Sequence, residues 1–141
     1  MAAGSAHRAV TIDRAAPGRF TARNARGGEI TFGTGEDTRF TPSELLLAAI
    51  GGCTAIDVDI LTSRRSEPDS FEVGVGAEKI RDADGNHLTD LTVTFRLRFP
   101  ETAVGDEARA IVPDVVRRSH DRLCTVGRTV ERGTPIATSI A

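Results

Sequence analysis

The chain has 141 residues, with 39% hydrophobic, 27% charged and 4% aromatic residues and a formal net charge of -2. That length supports one domain, residues 1–141, with a real core, and the composition is that of a folded chain and not a disordered one. With neither a compact basic cluster nor any Trp or Tyr, a nucleic-acid module is excluded, and Lys79, the only lysine, is all that remains for Schiff-base chemistry.

In chain order, "RAVTID" (8–13), "RFTAR" (19–23) and "EITFG" (29–33) alternate apolar and polar residues. They predict a small antiparallel meander turning at Pro17-Gly18 and Gly27-Gly28. "TPSELLLAAIGGCTAIDVDILTSRR" (41–65) predicts a long helix. Thr41 is its N-cap, Pro42 its first residue and Glu44 the partner in a capping box; Arg64 and Arg65 suit its C-terminal end. Apolar almost all round, this helix is expected to be buried between a sheet and either another helix or a second subunit. Gly51 and Gly52 cost about 1 kcal/mol each against Ala there, which implies a close neighbour or a kink before Cys53. "SFEVGVGAEKIR" (70–81) and "HLTDLTVTFRLRF" (87–99) predict two long strands, with Asp84-Gly85 as the hairpin signal. "GDEARAIVPDVVRRSHDRLC" (105–124) predicts a second helix, broken or kinked at Pro113 and ended by Gly127, and "TPIATSIA" (134–141) a closing strand. The expected fold is α+β, in the order βββ-α-ββ-α-β, with one cysteine on each helix. No export signal and no stretch of membrane-spanning length is read from the sequence, so a cytoplasmic location is expected.

Two cysteines, Cys53 and Cys124, lie 71 positions apart, an arrangement unlike a structural disulfide framework. A free thiol is only about 3% thiolate at neutral pH, so a reactive one needs a cation, a base or a helix N-terminus. Cys53 lies about three turns into its helix, beyond the reach of the dipole. An arginine must then be supplied, and Arg23, Arg26 and Arg39 precede the helix, with Glu44 able to orient one of them. Helical spacing puts His120 and Cys124 on one face. Three readings follow: two inert buried cysteines, a metal site built from Cys53, Cys124 and His120 without a CxxC pair, or a peroxidatic and resolving pair.

"TPSELLLAAIGGCTAIDVDIL" followed by "SHDRLCTVGRTVERGTPI" resembles the OsmC/Ohr family, the osmotically inducible and organic-hydroperoxide-resistance proteins, in a less characterised branch. The resemblance implies an intertwined homodimer with two buried helices packed on antiparallel sheets, and a thiol-dependent peroxidase acting on organic hydroperoxides. It implies no cofactor and no metal; Cys53 attacks, Cys124 resolves, an arginine (Arg39 in the loop before the helix, or Arg26 or Arg23 in the early hairpin) stabilises the thiolate, and Glu44 anchors it. A dithiol of the lipoyl type is the expected reductant, and no nucleic acid or membrane is an expected partner. In the peroxidase branches the glutamate directly follows the proline. Here Ser43 holds that place, and Glu44 is turned from it by about 100° on a helix. A non-catalytic protein holding an apolar ligand between the helices is the alternative.

Overall fold

The computed structural model describes residues 4–141, and the chain divides within its first helix, between Leu46 and Leu47, into two compact units. The first unit holds a three-stranded antiparallel meander, β1 (Val10–Ala16), β2 (Arg19–Asn24) and β3 (Glu29–Gly33), in that order. Its turns use the expected residues. Gly18 has φ +69° between β1 and β2, and Gly27 has φ +93° between β2 and β3, a region open to Gly without a steric penalty. Asn24 organises the second turn by accepting from the backbone N–H groups of Arg26 and Gly28 at 3.0 and 2.9 Å. Phe20 and Phe32 stack across β2 and β3 with centroids 5.9 Å apart.

The first helix, α1, spans Pro42–Ser63, and the capping box forms as the sequence demands. Thr41 N–H donates to Glu44 Oε1 at 2.9 Å, and Glu44 N–H donates to Thr41 Oγ1 at 3.2 Å. Arg64 and Arg65 fall in the turn just beyond its end. By length and composition α1 is apolar enough to cross a membrane, which corrects the expectation that no segment is; only Asp57 and Asp59 interrupt the run from Leu45 to Leu61. The buried residues of α1 instead form one stripe, Ile50, Thr54, Val58 and Thr62, with Gly51 beside it. That four-residue period is the signature of a helix packed on one side. The expectation of burial all round is therefore corrected for the single chain: Ile56 and Ile60 stay exposed.

In the second unit, β4 (Ser70–Asp82) and β5 (Gly85–Arg98) form a long antiparallel hairpin, closed by Gly85 at φ +106°. Val73 and Val75 of β4 lie against Gly51 of α1. The second helix, α2, spans Ala103–Arg118, and its N-cap Thr102 accepts from Gly105 N–H at 3.1 Å. It runs through Pro113 without ending there. The helix changes character six residues later, in a π-turn over Ser119–Leu123.

Cys124 leaves the helical region with φ -72° and ψ 99° and becomes the N-cap of a third helix, α3, over Thr125–Glu131. Gly127 lies inside α3 and does not end a helix. The second cysteine thus sits between helices and not upon one, which corrects the helix expected over 105–124. The closing strand expected over 134–141 does not form. Alternating β-branched residues make a strand only where a sheet edge accepts them, and Ile136 and Ile140 here are almost fully exposed. The order is βββ-α-ββ-α-α, still α+β with two antiparallel sheets.

Candidate functional site

Cys53 and Cys124 are both free thiols. The two thiols are neighbours, each shifting the other's titration. The surroundings of the two differ. Burial, foremost, pushes the Cys53 thiol above its ordinary pKa, against the backbone N–H groups of Val126 and Thr125, which favour its thiolate. The Cys124 thiol is held below its ordinary value although its burial and Asp57 oppose this: hydrogen bonds from Thr54, Gly127 and Cys53 favour its thiolate and outweigh them. Gly127 N–H donates to Cys124 Sγ at 3.2 Å. Cys124 is also the more enclosed of the two, 2% exposed where Cys53 is half-buried.

The local fold explains how Cys124 is presented. Its N–H donates to Ser119 O at 2.8 Å across the π-turn, and π-turns recur where a helix must re-aim a residue at a functional site. Ser119 is itself fully buried, and its hydroxyl donates to Asp57 Oδ2 of α1 at 2.7 Å. On the far side, Cys124 opens onto a cavity of about 430 Å³ whose apolar wall includes Ile50, Leu91, Val93, Phe95 and Val116. That volume lies within the range of small-ligand pockets.

His120 and Glu131 line the same cavity. His120 and Cys124 do share a site, but through the π-turn and not through the helical spacing that the sequence suggested. His120 Nδ1 lies 2.9 Å from Asp121 Oδ1, and Nε2 lies 2.9 Å from Glu131 Oε1. Two carboxylate neighbours favour the imidazolium, in which both ring nitrogens donate. Asp121 first, then Glu131, accordingly raise the His120 pKa. With both nitrogens so committed, His120 is poorly placed to be a third metal ligand.

A group whose pKa is raised by folding adds stability that is complete below its unfolded value, about 6.5, and is lost as pH climbs through the folded value. His120→Gln is therefore expected to lower the melting temperature below about pH 6 and to converge on the parent above pH 8. The side chain is 62% exposed, so the difference is small, about 0.5 kcal/mol after solvent screening. Thermal melts of both proteins from pH 5 to 8.5 measure it.

Of the remaining sequence candidates, Arg26 is exposed in the β2–β3 turn with no partner for its side chain among the described residues, while Arg39, Arg23 and Glu44 have partners within the first unit. Arg39 Nη1 is 2.6 Å from Asp37 Oδ2. Arg23 bridges the meander, 2.7 Å from Asp13 and 2.8 Å from Glu29. The Glu44 carboxylate serves the cap on Thr41, and that hydrogen bond holds its pKa down. The structure thus brings together the two sulfurs, while Arg39 and Glu44 are engaged with Asp37 and Thr41. Sequence reasoning missed Thr54, Asp57 and Ser119. Asp57 follows Cys53 by one helical turn, a spacing visible in the sequence; its partner Ser119, 62 positions away, carries no local signal.

The model of the OsmC-like protein family matches residues 34–139, so the chain belongs to the OsmC-like family. An uncharacterised protein of Mycobacterium tuberculosis is 29% identical over 126 residues, covering 89% of this chain and 90% of that protein. Among solved structures, a hypothetical protein from Aquifex aeolicus matches with a TM-score of 0.70 at 22% identity, over 92% of this chain and 91% of its own. The organic hydroperoxide resistance protein OhrB of Bacillus subtilis matches with a TM-score of 0.58 at 14% identity, over 88% of this chain and 90% of its own. The α+β fold is of the soluble type found in this family, which is compatible with a cytoplasmic location.

Proposed function

We propose that this protein is a thiol-dependent peroxidase for organic hydroperoxides. The observation that supports it most is the pairing of two reduced thiols from segments 71 positions apart, of which Cys124 lines an apolar cavity. OhrB, named for organic hydroperoxide resistance, shares the fold. In the proposed cycle the Cys53 thiolate attacks the terminal oxygen of the hydroperoxide. The O–O bond breaks, the alkoxide leaves and takes up a proton, and Cys53 becomes a sulfenic acid. The Cys124 thiolate then attacks the Cys53 sulfur, expelling hydroxide, which leaves as water, and closing a disulfide. A dithiol of the lipoyl type returns two electrons and two protons.

The electrostatics of the two thiols set what each role requires. Cys124, whose pKa is lowered, is the better provided with the thiolate that resolution needs. Cys53, whose pKa burial raises, needs a cation before it attacks, and Arg39, exchanging Asp37 for Glu44 as its anchor, is the proposed source. The proposed protein is a cytoplasmic homodimer, in which a second copy covers the apolar face of α1 at Ile56 and Ile60.

A second reading has an observation of its own. Ser43 occupies the place of the peroxidases' glutamate, and Glu44 is engaged by the cap, so the cavity can serve to hold an apolar ligand without turnover. Free thiols counted before and after one equivalent of cumene hydroperoxide separate the two. Peroxidase chemistry takes both thiols from the parent protein and none from Cys53→Ser. Retention of both thiols in the parent, with an apolar molecule copurifying, leaves the binding reading.

A further inference from the structure

We infer that Asp57 and Ser119 form a positioning pair that holds Cys124 against Cys53. The inference deepens the peroxidase reading, because it concerns how the resolving sulfur is kept within reach. Four links close a ring. Cys53 and Asp57 are one turn apart on α1, rising about 6 Å along a rigid helix. Asp57 Oδ2 accepts from Ser119 Oγ at 2.7 Å. Ser119 O accepts from Cys124 N–H at 2.8 Å. The two sulfurs complete the circuit.

Ser119 is the joint of this ring. Its side chain ties the π-turn to α1, and its carbonyl fixes the backbone of Cys124. A fully buried hydroxyl needs a hydrogen-bond partner, and a carboxylate acceptor gives a bond stronger than a neutral one. No other side-chain hydrogen bond joins α1 to the π-turn among the described residues. Without the Asp57–Ser119 bond, only the contact of Thr54 with Cys124 and packing hold this segment to α1, and relaxation of the π-turn into an ordinary helical turn would rotate Cys124 away. The pair therefore sets the effective concentration of one thiol at the other, the quantity that governs disulfide closure.

The test is the equilibrium constant of the Cys53–Cys124 disulfide, read in glutathione redox buffers at pH 7. Oxidised glutathione takes up the two electrons and two protons, so the measurement needs no hydroperoxide. Failure of the peroxidase reading leaves it intact. Asp57→Ala and Ser119→Ala are each expected to lower the constant at least about tenfold, raising the reduction potential by about 30 mV. The double variant is expected to fall no further, because either change alone already breaks the tether. Asp57→Asn keeps an acceptor oxygen for Ser119 and is expected to stay within about twofold of the parent. A parental constant in both alanine variants overturns the inference. So does an Asp57→Asn constant as low as that of Asp57→Ala, since charge and not the tether would then be responsible. If Ser119→Ala fails to fold, the Asp57→Ala and Asp57→Asn comparison decides alone.

Discussion

Cys124→Ser is expected to leave a protein that consumes one equivalent of organic hydroperoxide and then stalls. In the parent, a thiol already beside the Cys53 sulfur acts as an intramolecular nucleophile, at an effective concentration far above the millimolar level of any dithiol in solution. It is moreover the thiol that Thr54 and Gly127 bias toward thiolate. Removing it hands the sulfenic acid to solution chemistry, and steady-state turnover with a dithiol is expected to fall by roughly a hundredfold. Cys53 should then be found as a sulfenic acid trapped by dimedone, a product absent from the parent because closure outruns the trap. Cys53→Ser differs in kind, losing even the first equivalent. Mass spectrometry of trapped protein, together with hydroperoxide consumption over time, separates these outcomes. Parental turnover by Cys124→Ser would remove the resolving role and leave its enclosure unexplained.

What the sequence made legible follows from the range of the interactions concerned. The capping box of α1 involves residues three apart, and the turns at Gly18, Gly27 and Gly85 depend on one residue's φ. Local chemistry of that kind writes itself into local sequence. The pairing of Cys53 with Cys124 was legible only through resemblance, since spacing alone left inert burial, metal binding and redox pairing open. The surroundings of Cys124 were not legible. Pro113 looked like the breaking point of the second helix, yet α2 passes through it and yields at Ser119, where the tertiary contact to Asp57 takes hold. That contact, between residues 62 positions apart, outweighs the helical pattern on either side. The closing strand failed for the opposite reason: the local pattern was present, but no edge in the single chain accepted it.

Glycine substitutions in the second unit should show which close approaches hold the cavity walls, and Gly105→Ala is expected to be the most damaging of them. A methyl group there would occupy the space of the Pro100 carbonyl oxygen. Backbone cannot step aside as the end of a side chain can, so α2 would have to shift together with the Thr102 cap on Gly105. The expected cost is about 3 kcal/mol or more, a large part of the stability of a domain of this size. Because α2 carries Pro113 and Val116 of the cavity wall, any folded remainder should also close its disulfide less readily. Gly51→Ala makes the instructive contrast. Its methyl would meet a methyl of Val75, a side chain that must change rotamer or shift but is not backbone, and helix propensity returns about 1 kcal/mol. Against an overpacking cost of about 1–3 kcal/mol, the net loss is expected to be about 1 kcal/mol. Gly51 thus answers why an apolar helix tolerates a glycine two residues before Cys53: it lets β4 lie close to α1, so that β5 can wall the cavity. Urea denaturation of the two variants beside the parent gives the order. Equal midpoints for Gly105→Ala and the parent would mean that the approach of Pro100 to α2 is looser than its carbonyl position implies.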